Sequence, residues 1–187
     1  MKVDFNKFIT GENNVCLITG LSGSGKTTLA KQLALKYNAV VVSLDRFVGN
    51  FDDSTDPVLD SYSPDKEIIY DDNALAYEVE QYLNFAISYC NNDKSTKYII
   101  EGVQIFWLMN GSDLKGCSLI CMDTSPIKCA FRRVKRVTYL NRKKYKTSLK
   151  TKLYDILSCI KIDREDIRGY NAFKKEIIIG GDAYETS

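Results

Sequence analysis

The sequence predicts an α/β fold: an about five-stranded parallel sheet flanked by helices, with one arginine-rich helical lid. Three observations predict it. Short apolar or β-branched runs alternate with stretches whose apolar residues recur at helical spacing, the pattern of a parallel sheet wrapped by helices. A glycine-rich loop joins the first such run to the first such helix. An acid, Asp45 and then Glu101, stands at the end of each of the next two runs, and open parallel sheets bind ligands beyond the carboxyl ends of their strands.

The elements follow in order. Val15-Cys16-Leu17-Ile18-Thr19 is the first strand, and Thr28 to Ala34 begins the first helix, with apolar residues on one face. Ala39-Val40-Val41-Val42-Ser43-Leu44 is β-branched enough for a buried strand. Residues 46–64 hold Gly49, Pro57, Pro64 and several Asp, and read as a loop excursion. A helix is predicted near Asn73 to Cys90, with Leu75, Val79, Leu83 and Ala86 on one face. Lys97-Tyr98-Ile99-Ile100 is the next strand; Val103 to Asn110 is a short helix or a loop; Ser118 to Met122 is another strand. Ser125-Pro126 reads as an N-cap followed by a first-turn proline, opening a helix through Ile127, Phe131, Val134 and Val137. Leu149, Leu153, Ile156, Leu157 and Ile160 suggest a further helix, and Glu176-Ile177-Ile178-Ile179 a last strand closed by Gly180-Gly181.

A chain of 187 residues suits one domain with a full core. Its net charge of +2 conceals a polarity. Ten acids and one base lie between Asp52 and Glu80, whereas eleven Lys and Arg and no acid lie between Asp123 and Asp155. No run approaches the ~20 apolar residues of a membrane span, and residues 1–14 lack a signal-peptide core. The expected compartment is the cytoplasm, with no membrane partner. The six cysteines form no CxxC pair and read as reduced core residues. The chain has no histidine, which removes every Ser-His or Cys-His pair, so a general base must be a carboxylate, Lys or Tyr.

Gly20-Leu21-Ser22-Gly23-Ser24-Gly25-Lys26-Thr27 fits the phosphate-loop pattern, in its proper context between strand and helix. Its glycines let backbone N–H groups turn toward an anion, and the helix N-terminus adds partial positive charge. Gly20, Ser22, Gly23, Ser24, Gly25, Lys26, Thr27 and Thr28 are the candidate nucleotide contacts. Lys26 would reach the β- and γ-phosphates, and the Thr27 hydroxyl would bind Mg²⁺. Asp45 and Glu101 would converge on the same crevice, holding the metal or taking a proton from an attacking hydroxyl. The plainer readings are that Asp45 caps a helix and Glu101 solvates a turn. Arg132 and Arg136 share a helix face with Arg133 close by, and their forks suit phosphate oxygens. Because Tyr139 and Tyr145 interleave with the bases, a nucleic-acid surface is the rival reading of this segment. Tyr62, Tyr70, Phe106 and Trp107 either stack on a base or pack in the core. No Asn-Lys-x-Asp guanine motif is present.

These motifs together resemble the uridine kinase and phosphoribulokinase group of P-loop kinases. Ser43-Leu44-Asp45-Arg46-Phe47 is similar to that group's Asp followed by Phe-Tyr after strand two. Ile100-Glu101-Gly102-Val103 is similar to its Glu-Gly, Arg132-Arg133-Val134-Lys135-Arg136 to its lid arginines, and Lys175 to Gly180 to its final strand. The resemblance runs from Val15 to about Gly181. It implies a single kinase domain over 1–187, with a lid near 125–147 and an acceptor-site excursion near 46–72. It further implies ATP- and Mg²⁺-dependent transfer of a γ-phosphoryl group to an alcohol. Asp45 then accepts the hydroxyl proton, Lys26, Arg132, Arg133 and Arg136 hold phosphates, and Thr27 with Glu101 organises Mg²⁺. Adenine falls near Gly180 to Tyr184. The chain departs from the group in lacking a base-binding histidine, in Val48 where a Tyr is usual, and in length. A small-molecule acceptor, a nucleoside first, is expected; a polynucleotide or other metabolite kinase and a slowly hydrolysing regulatory module are the alternatives.

Overall fold

The computed structural model describes residues 2–49, 57–62, 72–109, 114, 116–144, 157 and 164–177. Five strands form one sheet: β1 (Lys2–Val3), β2 (Val15–Thr19), β3 (Ala39–Ser43), β4 (Lys97–Glu101) and β5 (Cys117–Cys121), in the spatial order β1-β5-β2-β4-β3. The helices are α1 (Phe5–Thr10), α2 (Lys26–Tyr37), α3 (Leu44–Gly49), α4 (Pro57–Asp60), α5 (Asp72–Asn92), α6 (Gln104–Leu108) and α7 (Pro126–Lys144), followed by α8 over 164–177.

The sheet is mixed rather than wholly parallel. Four strands are parallel, and β1 pairs antiparallel with β5, placing Lys2 opposite Ile120. The strand expected at 176–179 is not seen where the chain is described: Glu176 and Ile177 end α8, and residues 178–179 lie outside the described residues. The β-branched run suggested a strand, but Asp166, Tyr170, Phe173 and Ile177 are all buried, and that spacing is one face of a helix. Tertiary packing overrides local propensity here. The second suggested helix, 149–160, falls outside the described residues except Leu157.

Helices cover both faces of the sheet, and the strands show it by alternation. Val15 and Leu17 of β2 pack into one core with Val42, Ile100 and Leu119, under α5 and α6. Cys16 and Ile18 pack into the other with Phe5, Phe8, Ala30 and Ile99, under α1 and α2. A strand apolar on both faces needs both layers, and each fully buried Leu, Ile or Val contributes about 1.5–3 kcal/mol. α5 presents Val79, Leu83, Ala86 and Cys90 to the core, the face the periodicity predicts. The five described cysteines are buried free thiols; Cys159 lies outside the described residues. No helix among the described residues is long and apolar enough to cross a membrane.

The topology matters for the site. β2 lies between β4 and β5, and β3 lies outside β4. The register places Ile18 opposite Glu101 and Ser43 opposite Glu101. The loop after β2, the acid ending β4 and the acid just after β3 therefore emerge side by side at one edge.

Candidate active site

The loop from Gly20 to Gly25 leaves β2 and enters α2 at Lys26. Gly23 and Gly25 hold φ of +85° and +100°, a region that favours glycine. Gly23 is also pressed against α7: a Cβ there would stand 2.8 Å from the Cys129 carbonyl oxygen. Gly23→Ala should therefore destabilise the fold by about 1–3 kcal/mol, read by urea unfolding. Unchanged stability would show that the loop does not rest on α7 in solution.

A cleft of about 540 Å³ opens over this loop, lined by Ser22 to Leu29 together with Gln32, Asp45, Met122 and Arg132. Seven of the eight candidate nucleotide contacts line it; Gly20 instead supplies a carbonyl beneath it. Lys26 is buried, and its Nζ donates to the carbonyl oxygens of Gly20 at 2.9 Å and Leu21 at 3.2 Å. Its ammonium is folded back onto the loop carbonyls, which it would have to exchange for phosphate oxygens to meet a nucleotide. Burial pushes its pKa below the ordinary value, against the opposing charges of Glu101 and Asp45.

The two acids have different environments. Glu101 is fully buried. Its Oε1 accepts from Thr27 Oγ1 at 3.1 Å and from Ser43 Oγ at 2.7 Å, while its Oε2 is buried without a hydrogen-bond partner. Burial pushes its carboxyl above the ordinary 4.5, and the charge of Asp45 adds to the rise; Ser43, Lys26 and Thr27 oppose it. Asp45 sits inside the first turn of α3 rather than at its cap and is exposed in the cleft. Residues 46–49, expected as loop, belong to that helix. Asp45 Oδ1 accepts from Gln104 Nε2 at 3.1 Å.

These differences predict a pH signature. A carboxyl whose folded-state pKa is raised contributes stability that is fully present below its unfolded value and lost as pH rises through the folded value. The protein should lose stability across the range above 4.5, and Glu101→Gln, which cannot titrate, should flatten that slope. Thermal melts from pH 5 to pH 8 check this; parallel curves for the two proteins would contradict it.

The donor set of Thr27 hydroxyl, Glu101 and Asp45 is all hard oxygen and includes the orphaned Glu101 Oε2, which fits Mg²⁺. Among the described residues, no three His, Cys, Asp or Glu cluster to cage a metal.

α7 reaches the loop from the other side. Its start follows Ser125, whose carbonyl accepts from Cys129 N at 3.0 Å. Arg132 Nη1 donates to the carbonyl oxygens of Gly23 and Ser24, each at 3.2 Å. Arg133 packs its Cγ close to Gly23. Arg136 lies farther along α7, and its side chain is outside the described residues. Thr124 Oγ1 donates to the Ser24 carbonyl at 2.9 Å.

Several residues here escape sequence reading. Ser43 holds Glu101, and only strand register reveals it. Gln104 holds Asp45 from α6. Asp166 of α8 is buried; burial raises its pKa, opposed by the charge of Arg133 and by a hydrogen bond from the Trp107 indole. Its i, i+4 spacing to Tyr170 is the available signal. Of the aromatic candidates, Phe106 is core, its ring centroid 5.2 Å from that of Tyr170. Trp107 is half-exposed. Tyr62 packs on Tyr82 and Phe85. Tyr70 and Gly180 to Tyr184 lie outside the described residues, as do 50–56 and 63–71 of the excursion.

Comparison with known proteins adds a family. The model of novel STAND NTPase 3 matches residues 6–107, a span that holds the glycine loop, Asp45 and Glu101 and stops before α7. The match is to this NTPase family and not to the uridine kinase and phosphoribulokinase group. No curated protein matches the chain. Among solved structures, the crystal structure of an uncharacterized protein from Eubacterium ventriosum is 19% identical, covering 83% of this chain and 78% of its own, with a TM-score of 0.41.

Proposed function

The chain belongs to the novel STAND NTPase 3 family, and from that premise and the cleft's chemistry we propose that it transfers the γ-phosphoryl group of ATP, with Mg²⁺, to a hydroxyl of a small molecule, a nucleoside first. One observation carries the reading: of the two acids beside the loop, Glu101 is buried on Thr27, whereas Asp45 is exposed in the cleft. That difference supports giving Glu101 the metal and Asp45 the acceptor.

The loop amides and the start of α2 bind the polyphosphate. Lys26 leaves its carbonyl partners and neutralises phosphate charge. Arg132, Arg133 and Arg136 add charge from the lid, where Arg forks match phosphoryl oxygens. Thr27 and Glu101 would hold Mg²⁺, which would supply charge neutralisation for the phosphates when bound. Asp45 accepts the proton of the attacking hydroxyl as that oxygen bonds to the γ-phosphorus and the bond to the β–γ bridging oxygen breaks. With no histidine in the chain, a carboxylate suits the base role.

Family membership favours a second reading, in which water is the acceptor and the protein is a slowly hydrolysing nucleotide switch. The two separate on the fate of γ-labelled phosphate from MgATP, followed with nucleosides, sugars and short oligonucleotides. Label in a nucleoside supports the proposal. Label in an oligonucleotide, with a steep salt dependence, makes the basic helix an acceptor surface. Label only in inorganic phosphate, whatever is added, sinks the transferase reading and leaves hydrolysis.

A further inference from the structure

We propose that Gln104 is a positioning residue for Asp45: its side-chain amide pins one carboxylate oxygen and leaves the other for the acceptor's proton. This rests on the function proposed above.

The contact is Gln104 Nε2 to Asp45 Oδ1 at 3.1 Å. Asp45 is exposed, and a carboxylate's terminal torsion is broad, so nothing intrinsic fixes which oxygen faces an incoming hydroxyl. Gln104 is itself well fixed. It opens α6, whose next two residues, Ile105 and Phe106, are buried in the core. Its own Oε1 is buried without a partner, so the amide holds a polar atom away from water while it reaches Asp45.

Gly102 makes the reach possible. A Cβ at residue 102 would stand 2.6 Å from Gln104 Oε1 and 2.9 Å from Leu44 Cβ. The glycine after Glu101 thus clears the space in which the amide lies. The clamp is also neutral. A lysine or arginine in its place would fix the carboxylate but oppose its taking a proton; an amide orients it without a full positive charge. The three residues 101, 102 and 104 so serve two acids from one strand end: Glu101 toward Thr27, Gln104 toward Asp45.

Two measurements test this. In the full-length protein, the Gln104 side-chain amide resonance should shift in Asp45→Asn and stay unmoved in Lys26→Ala; no shift in Asp45→Asn overturns the contact. ADP formation from MgATP, with uridine as probe acceptor, reads transfer to water and to the nucleoside alike. Gln104→Leu should lower kcat roughly ten- to hundred-fold with KM for ATP unchanged and the melting temperature retained. In an Asp45→Asn background the same change should cost nothing more. Wild-type kcat in Gln104→Leu, or an equal loss with and without Asp45, overturns the inference and leaves the proposed function standing. Normal turnover in Asp45→Asn alone sinks the function and this inference with it.

Discussion

Asp45→Asn should lower kcat for the proposed phosphoryl transfer by roughly 10²–10⁴-fold, the contribution of a positioned general base, while the affinity for ATP should change only a few-fold. Asn is nearly isosteric, and its Oδ1 still accepts from Gln104, so the geometry of the cleft is retained and only proton acceptance is lost. Glu101 cannot substitute, because it is buried beneath Thr27 and Ser43. The loss therefore falls on kcat and kcat/KM together, as expected when an interaction is made only in the transition state. Steady-state kinetics beside calorimetric ATP binding separate the two quantities. Near-normal transfer in Asp45→Asn would show that the base lies elsewhere.

Lys26→Ala removes the cation at the centre of the loop and lowers kcat by about 10²–10³-fold, the scale for losing one preorganised group that stabilises developing charge. ATP affinity should fall as well, because the proposed role sets Lys26 against phosphates present before and during transfer. Lys26→Arg should not rescue it. The ammonium sits buried between the Gly20 and Leu21 carbonyls, a space suited to a compact point charge and not to a planar fork. The same kinetics and calorimetry test this; an arginine variant with wild-type activity would contradict the geometry of the loop.

Much of the fold and of the cleft's lining is legible in the sequence. The glycine loop is a local signal, since Val15 to Thr27 carries strand, turn and helix start in one continuous stretch. The strands Ala39 to Ser43 and Lys97 to Glu101 announce themselves by β-branched and apolar runs, and their end positions locate Asp45 and Glu101 by topology alone. What could not be read depends on partners distant in sequence. Two residues, Lys2 and Val3, become a strand only because β5 offers them an edge. Ser43 reaches Glu101 only through the β3–β4 register. Gln104 becomes informative only when Asp45 is beside it, since a lone glutamine after a strand has no pattern of its own. The error at residues 176–177 has a different cause: three consecutive isoleucines outweighed the helical spacing of Tyr170, Phe173 and Ile177, although burial chose the latter.

In the proposed function the main-chain amides of residues 20–25, with Lys26 and Thr27, grip the β- and γ-phosphates of a nucleotide. Melting temperature in the presence of Mg²⁺ and saturating ATP, ADP or AMP tests it most directly, because a ligand bound by the folded state alone stabilises that state. ATP and ADP should raise the melting temperature of the wild-type protein and not of Lys26→Ala, and AMP, lacking a β-phosphate, should leave both unchanged. Equal stabilisation by AMP and ATP, or none by any of the three, would contradict it.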